Sequence, residues 1–158
     1  MGSIEIIGLT HQYVGTDGQL ITAVKDISLS VTDGRFMSIV GPSGCGKNEP
    51  EILLMDEPFA SLDAQTRELM QEELLKIWET TGKTILFITH SVDEAIYLST
   101  DVAVMSYRPG RIKQMFPVAL PYPRADYSIR TDERFLQLKV AITELVREEI
   151  NKHVEDDA

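Results

Sequence analysis

The chain has 158 residues, 43% of them hydrophobic and 25% charged, which is the composition of a soluble globular protein long enough for one ordinary domain. Its formal net charge of −10 argues against nonspecific nucleic-acid binding, which depends on Lys and Arg to neutralise phosphates. No apolar run approaches the roughly 18 residues of a membrane span, and the start of the chain does not resemble a signal peptide. Cys45 is the single cysteine, which excludes an intrachain disulfide and is consistent with a reducing cytosol.

The first third of the chain is predicted to be β structure. Residues 4–13 and 22–31 alternate between apolar and polar side chains, which is typical of strands with one exposed face, and residues 15–18 form a turn between them. A second turn at residues 33–34 precedes the short apolar run 36–40, which indicates a buried strand. An antiparallel sheet that leads into a parallel core is therefore expected.

A glycine-rich loop follows this buried strand directly. Its sequence, Gly41-Pro42-Ser43-Gly44-Cys45-Gly46-Lys47, matches G-x-x-x-x-G-K, the pattern of a phosphate-binding loop. The glycines allow the backbone N–H groups to point inward at phosphate oxygens, and Lys47 supplies a positive charge for the terminal phosphates. The pattern should end in a Ser or Thr that holds Mg²⁺ and then start a helix, but residues 48–51 are Asn-Glu-Pro-Glu. The alternative interpretation is a tight surface turn.

The remaining elements alternate between strands and helices. Predicted strands cover residues 52–55, 84–89, 102–106 and 112–118, and predicted helices cover residues 63–81, 91–98 and 131–154. Asp63 and Ser91 are good N-cap residues, and Gly82 is a good helix stop. The first of these helices is expected to bury a stripe made by Leu69, Met70, Leu74, Ile77 and Trp78. The proline-containing segment 121–126 is predicted to be an extended linker.

Two carboxylates follow the predicted strand at residues 52–55. Asp56 in this position is suited to hold Mg²⁺, directly or through water, and Glu57 is suited to polarise an attacking water as a general base. Adjacent carboxylates repel each other, so stability alone gives little reason to keep them together. After a phosphate-binding loop, the pair predicts a nucleotide-hydrolysing site.

These motifs, in this order, resemble the ATP-binding cassette (ABC) ATPase subunits of membrane transporters. Residues 53–59, Leu-Leu-Met-Asp-Glu-Pro-Phe, look like the Walker B motif of that family, and residues 60–63, Ala-Ser-Leu-Asp, are similar to its D-loop, which reaches across a dimer interface. Ile88-Thr89-His90 resembles the H-switch, whose histidine contacts the γ-phosphate. Tyr13 lies where the family places an aromatic residue that stacks on adenine.

The resemblance implies a fold, a set of ligands and roles for individual residues. The fold class is α/β, a P-loop NTPase core of parallel sheet flanked by helices, with an N-terminal antiparallel β subdomain and without the helical subdomain of the family. Residues 1–126 are expected to form the ATPase core, and residues 127–158 a C-terminal helical extension. ATP and Mg²⁺ are the implied cofactors. The implied site residues are Glu57 and His90 for catalysis, Asp56 for the metal, and Tyr13, Asp63 and residues 41–47 for the nucleotide.

The family expects roughly a hundred more residues between Lys47 and Asn48, including the signature motif that contacts ATP on the opposite subunit. Geometry also indicates that residues are missing at this junction, because a chain that returns between two parallel five-residue strands must cover about 17 Å. Residues 48–51 reach only about 13 Å if residues 41–47 wrap a phosphate. Two hypotheses remain open. Either the intervening residues exist in the molecule but are absent from this sequence, or the chain carries a real internal deletion.

The resemblance predicts the ATP-hydrolysing subunit of an ABC importer for a small anion such as nitrate, sulfonate or taurine. Its implied partners are a second ATPase subunit in a homodimer and transmembrane permease subunits, with no nucleic acid and no membrane span of its own. The expected location is cytoplasmic, peripheral on the inner face of the cell membrane. The alternative is a nucleotide-binding or interaction module that has lost hydrolysis through a real deletion. A P-loop kinase or GTPase is a weaker possibility, because it leaves Asp63 and His90 unexplained.

Overall fold

The computed structural model describes residues 3–14, 19–40, 52–107, 109–124 and 127–156. The glycine-rich loop and the predicted break between Lys47 and Asn48 lie outside these ranges. The statements below concern the described residues alone.

The N-terminal part of the chain forms an antiparallel hairpin. Strand β1 (Ile4–Val14) pairs with strand β2 (Leu20–Val31) in a two-stranded sheet of the described residues. Ile27, Leu29 and Val31 are buried on one face of β2, while the residues between them are exposed. This alternation confirms the half-exposed antiparallel sheet that the sequence predicts.

A second sheet forms the centre of the described structure. Its strands are β3 (Phe36–Val40), β4 (Ile52–Asp56), β5 (Thr84–Thr89), β6 (Asp101–Met105) and β7 (Ile112–Pro117). They lie in the order β4-β5-β3-β6-β7; the first four are parallel, and β7 pairs with β6 in the antiparallel direction. The predicted parallel core is therefore confirmed, with β5 inserted between β3 and β4.

The register of these strands brings three chain segments to one edge of the sheet. Val40 at the end of β3 lies opposite Thr89, and Asp56 at the end of β4 lies opposite Ile88. Neighbouring strands lie about 4.8 Å apart, so the ends of β3 and β4 are separated by about 10 Å. The carboxyl ends of parallel strands are the usual place for a ligand in an open α/β sheet.

Three helices pack beside the sheet in the described residues: α1 (Ala64–Thr81), α2 (Val92–Leu98) and α3 (Glu133–Asp156), the last preceded by a 3₁₀ turn (Tyr127–Thr131). The predicted caps of α1 are confirmed. Asp63 accepts hydrogen bonds from the backbone N–H groups of Gln65 and Thr66, and Gly82 ends the helix in a left-handed conformation with φ of 61°. None of these helices combines the length and apolar character needed to cross a bilayer.

The predicted buried stripe of α1 is wrong for three of its members. Leu69, Met70 and Ile77 are exposed, and the helix buries a stripe formed by Gln71, Leu74, Leu75 and Trp78. This stripe has the spacing i, i+3, i+4, i+7 of one helix face. It includes a polar residue because the Gln71 amide is hydrogen-bonded to Glu94 and Arg130. Hydrophobic periodicity gives no signal for a buried glutamine that finds its partners on other elements.

Two apolar cores lie on opposite faces of the central sheet. The main core contains Phe36, Phe87, Leu75, Phe135 and Ile142, and so combines the sheet with α1 and α3. The second core lies under the N-terminal hairpin, where β2 residues pack on Met37 and Leu86 of the sheet. Burial on both faces explains why β3, apart from the buried Ser38, and the residues of β5 between its two threonines are apolar without alternation.

The segment predicted as an extended linker is anchored in the interior at Arg124. The Arg124 side chain is fully buried, and its guanidinium lies over the Tyr122 ring at 3.9 Å. Its two terminal nitrogens donate to five backbone carbonyls, those of Ile96, Tyr97, Ser99, Val118 and Leu120. Residues 121–124 form neither helix nor strand, and Arg124 fixes this segment to the interior, where carbonyl dipoles replace the hydration of its guanidinium.

Candidate functional site

The predicted site residues divide into those that the structure describes and those that it does not. The side chain of Tyr13 and residues 41–47 lie outside the described part, and their roles stay predictions. Asp56, Glu57, Asp63 and His90 are described. Asp56, Glu57 and His90 follow the carboxyl ends of β4 and β5, which pair side by side at the edge that β3 also reaches.

Asp56 is the last residue of β4 and carries a buried oxygen. Its Oδ1 atom has no hydrogen-bond partner among the described residues. A buried polar atom without a partner is costly, and a hard cation that prefers oxygen ligands would satisfy it. The described residues contain no group of three or more His, Cys, Asp or Glu side chains arranged for a metal. The unpartnered oxygen of Asp56 is compatible with Mg²⁺, which is commonly held by one or two carboxylates together with substrate phosphates.

Glu57 and His90 contact each other across β4 and β5. The distance between His90 Nδ1 and Glu57 Oε1 is 2.7 Å, which is short enough for the ring N–H to donate to the carboxylate. The Glu57 side chain is 14% exposed and that of His90 is 67% exposed. With Nδ1 engaged, Nε2 is the ring nitrogen left for a ligand. The two residues assigned to catalysis by the resemblance are therefore brought together by the fold.

The backbone of Glu57 is in an unusual conformation. Its φ of 44° lies in the left-handed region, which a residue with a side chain rarely adopts. The Glu57 N–H donates to the Ile88 carbonyl at 2.8 Å, and the Glu57 carbonyl accepts from Ala60 N at 3.2 Å. These two bonds hold the turn that directs the carboxylate toward His90. Such strain is found disproportionately at functional sites.

Asp63 has a clear local role as the N-cap of α1. Hydrogen bonds from Thr66, and then from Gln65, lower the pKa of Asp63 below its ordinary value, since they stabilise the charged carboxylate. The proposed contact of this residue across a dimer interface stays a prediction. In the single chain, Asp63 fixes where the turn after Glu57 becomes a helix.

A small cleft of about 40 Å³ lies behind the Glu57–His90 pair and contains residues that sequence reasoning missed. It is lined by Glu57, Ala60, Arg67, Thr89, His90, Ser91 and Glu94. Glu94 is a buried carboxylate that accepts from Thr89 Oγ1 at 2.7 Å and from Gln71 Nε2 at 3.1 Å. The pattern Ser91-x-x-Glu94 is a capping box and could have singled out Glu94. No sequence signal indicates that Arg67 and Gln71 converge on the same carboxylate.

Comparison with family models gives no match. Individual relatives do match. An uncharacterized ABC transporter ATP-binding protein of Methanocaldococcus jannaschii is 52% identical over 105 residues, which are 66% of this chain and 38% of that protein. The taurine import ATP-binding protein TauB of Ruegeria pomeroyi is 43% identical over 126 residues, 80% of this chain and 45% of that protein. The aliphatic sulfonates import ATP-binding protein SsuB of Bacillus cereus is 47% identical over 91 residues, 58% of this chain and 35% of that protein.

Among solved structures, a dimeric bacterial ABC transporter cassette superposes with a TM-score of 0.61 at 14% identity, covering 74% of this chain and 99% of the cassette chain. A post-hydrolysis state of the same cassette, bound to ADP and inorganic phosphate, gives the same values. At this identity the likeness shows the fold. The chain spans less than half the length of the three sequence relatives above.

Proposed function

Because this chain is homologous to ABC transporter ATP-binding proteins and has the fold of an ABC ATPase cassette, we propose that it binds and hydrolyses ATP as the motor subunit of an ABC importer. Its partners in this proposal are a second ATPase subunit and transmembrane permease subunits, and its location is the inner face of the cell membrane. The transported solute is a small anion such as nitrate, sulfonate or taurine, in keeping with the names of the TauB and SsuB relatives.

The observation that carries the proposal is the contact between Glu57 and His90 at the carboxyl edge of the sheet. Their 2.7 Å separation joins a carboxylate after β4 to an imidazole after β5. Strand β3, which precedes the glycine-rich loop, ends at the same edge about 10 Å from β4. That spacing is compatible with one nucleotide between a phosphate-binding loop and the carboxylates.

The proposed mechanism gives each of the predicted site residues a task. Glu57 orients and deprotonates the attacking water, and the Nε2 atom of His90 contacts the γ-phosphate. Asp56 holds Mg²⁺, which when bound neutralises charge on the phosphate oxygens. Lys47 and the backbone N–H groups of the glycine-rich loop, except Pro42, which has none, bind the phosphates, and Tyr13 stacks on adenine. Preorganised donors of this kind supply most of the rate enhancement in phosphoryl transfer.

The test is an ATPase assay on the purified chain, with and without Mg²⁺, combined with Glu57→Gln. We expect Mg²⁺-dependent phosphate release by the wild type and at least a roughly hundredfold lower rate in Glu57→Gln, with ATP binding retained. Glu73→Gln is the matched control, because Glu73 is an exposed residue of α1 that forms an ion pair with Lys76 of the same helix, and its rate should equal that of the wild type. Normal turnover by Glu57→Gln would remove Glu57 from its role.

The same assay, combined with an intact-mass measurement, separates the two hypotheses for the junction between residues 47 and 48: a segment absent from this sequence, or a real internal deletion. An intact mass near 17.7 kDa, together with ATP binding but no phosphate release, would favour a real internal deletion and the non-catalytic module. A larger mass, with turnover, would favour an enzyme that retains the intervening segment.

A further inference from the structure

Glu94 is a buried carboxylate with no task in the mechanism above. It lies in the first turn of α2 and is 7% exposed. Thr89 Oγ1 donates to its Oε2 at 2.7 Å, Gln71 Nε2 donates to its Oε1 at 3.1 Å, and Arg67 Nε lies 3.8 Å from Oε1. A carboxylate this deep must be stabilised by such partners. Thr89 belongs to β5, and both Arg67 and Gln71 belong to α1.

The first partner connects Glu94 to the turn that carries His90. Thr89 Oγ1, while donating to Glu94, accepts a hydrogen bond from Ser91 N at 3.0 Å. In an ordinary capping box the glutamate would itself accept from the N-cap N–H. Here the Thr89 hydroxyl is inserted between the two, so the residues on both sides of His90 are tied to the same carboxylate. The backbone of His90 is thereby fixed from both sides.

The second partner connects Glu94 to the turn that follows Glu57. Arg67 donates to the Phe59 carbonyl at 3.3 Å and to the Leu62 carbonyl at 2.9 Å. These carbonyls belong to the segment between Glu57 and α1. Arg67 therefore links the Glu94 carboxylate to the turn that holds Glu57 in its left-handed conformation.

The third partner, Gln71, lies one helical turn after Arg67 on α1 and contacts the same carboxylate oxygen, Oε1. The Gln71 amide, which donates to Glu94, accepts from Arg130 Nη2 at 2.8 Å through its oxygen. Arg130 in turn lies over the Tyr97 ring at 4.3 Å. The amide orientation is therefore determined, and Glu94 cannot rotate without breaking contacts with both α1 and β5.

We propose that Glu94 is a positioning residue that holds Glu57 and His90 in contact by tying the two turns that carry them to one buried carboxylate. Its effect on catalysis rests on the proposed function, whereas its effect on the Glu57–His90 contact does not. The competing explanation is that Glu94 only caps α2. If Glu94 only caps α2, a Glu94 variant that still folds should leave the His90 ring as it is in the wild type. If Glu94 is a positioning residue, the same variant should change the surroundings of the ring.

The test measures the ring nitrogens of His90 by ¹⁵N NMR at one fixed pH in the full chain without nucleotide. His90 is one of three histidines, and a His90→Gln sample assigns its signals. We expect Glu94→Gln to shift the Nδ1 and Nε2 signals toward those of a free imidazole. Asp93→Asn is the matched control, since it removes a carboxylate from the preceding residue, which is partly exposed and paired with Lys139 at 2.8 Å. It should leave the His90 signals at their wild-type positions.

Thr89→Val and Thr89→Ser provide a second pair in case Glu94→Gln does not fold. Val has the shape of Thr without the hydroxyl, so Thr89→Val should shift the His90 signals, and Thr89→Ser should restore them. Unchanged His90 signals in folded Glu94→Gln or folded Thr89→Val would overturn the proposal, whatever the change in melting temperature.

An activity measurement then connects the geometry to catalysis. If the wild type hydrolyses ATP, Glu94→Gln should lower kcat about tenfold or more with KM unchanged, because a misplaced catalytic pair affects the transition state more than binding. A kcat equal to that of the wild type in folded Glu94→Gln would overturn the catalytic part of the proposal. If the wild type shows no turnover, the proposed function fails, and the NMR result alone decides the role of Glu94.

Discussion

Glu57 has a left-handed backbone conformation, which favours glycine over residues that carry a side chain. A side chain at positive φ costs roughly 1–2 kcal/mol, and glycine avoids most of this cost. The two backbone hydrogen bonds to Ile88 and Ala60 keep the conformation in place. A chain under selection for stability alone would favour glycine at this position, and this supports a functional reason for the carboxylate.

We therefore expect Glu57→Gly to be more stable than Glu57→Ala by about 1 kcal/mol, since both remove the carboxylate and only glycine relieves the strain. Urea unfolding followed by circular dichroism measures the difference. Equal stability of the two variants would mean that the backbone is not strained at Glu57.

Tyr122 gives a pH dependence whose direction follows from its burial. Burial raises the pKa of Tyr122 to about 12, with a smaller opposing effect from the Arg124 cation, and its hydroxyl has no hydrogen-bond partner among the described residues. The unfolded chain loses this proton near pH 10, before the folded chain does. Between pH 10 and 12 the unfolded state binds fewer protons, so the free energy of unfolding falls as the pH rises.

The expected fall is up to about 3 kcal/mol between pH 10 and 12, with full stability below pH 10. Tyr122→Phe should remove most of this slope and should not lower stability at pH 7, because it deletes a buried hydroxyl without a partner and keeps the ring under Arg124. Denaturant unfolding at several pH values checks both points. An unchanged slope in Tyr122→Phe would assign the effect to other groups, such as Tyr97, whose pKa burial also raises.

At the scale of elements, Arg124 joins the end of α2 to the segment after β7. Three of its carbonyl partners, those of Ile96, Tyr97 and Ser99, lie at the C-terminal end of α2, where backbone acceptors lack helical partners. The other two belong to the segment after β7. Burial lowers the pKa of Arg124, since the interior disfavours its charge. The planar guanidinium is the side chain that can reach five acceptors at once.

Arg124→Lys should lower the free energy of unfolding by about 2–4 kcal/mol, because a single ammonium cannot replace these contacts and leaves buried carbonyls without donors. The control is Arg134→Lys, since Arg134 is exposed and makes one 3.4 Å contact to the Ala119 carbonyl, and this change should stay within about 0.5 kcal/mol. Equal stability of Arg124→Lys and the wild type, measured in urea, would contradict the anchoring role.

At the scale of the whole molecule, the C-terminal helix takes part in the main core. Phe135 is 1% exposed and Ile142 is fully buried among side chains from the sheet, α1 and α2. The predicted boundary between residues 126 and 127 stays a prediction, but the core crosses it. The C-terminal segment therefore contributes to the main core and to its stability.

Phe135→Ala should destabilise the protein by about 3–5 kcal/mol, because it leaves a large cavity in the main core. Leu136→Ala, one residue later and 48% exposed, should change stability by no more than about 0.5 kcal/mol. Thermal and urea unfolding compare the two variants. Similar losses for both would mean that α3 is not held in the main core by the face that carries Phe135.

The sequence by itself determined the order and type of the elements, the helix caps at Asp63, Gly82 and Ser91, and the placement of Asp56, Glu57 and His90 at strand ends. These features depend on the spacing of residues that are close in the chain and on residue types with specific chemistry, so they can be recognised in one sequence. The glycine-rich loop, Tyr13 and the residue 47/48 junction were also identified from sequence and stay predictions.

The tertiary structure alone decided which side chains meet. It inserted β5 between β3 and β4, exposed Leu69, Met70 and Ile77 on α1, and buried Gln71, Glu94 and Arg124. It also brought His90 to within 2.7 Å of Glu57. A buried polar group is stabilised by partners that lie far away in sequence, and the residues next to it in the chain do not indicate which partners these are. For that reason Glu57 and His90 could be predicted as two separate residues, while the network of contacts around them could not.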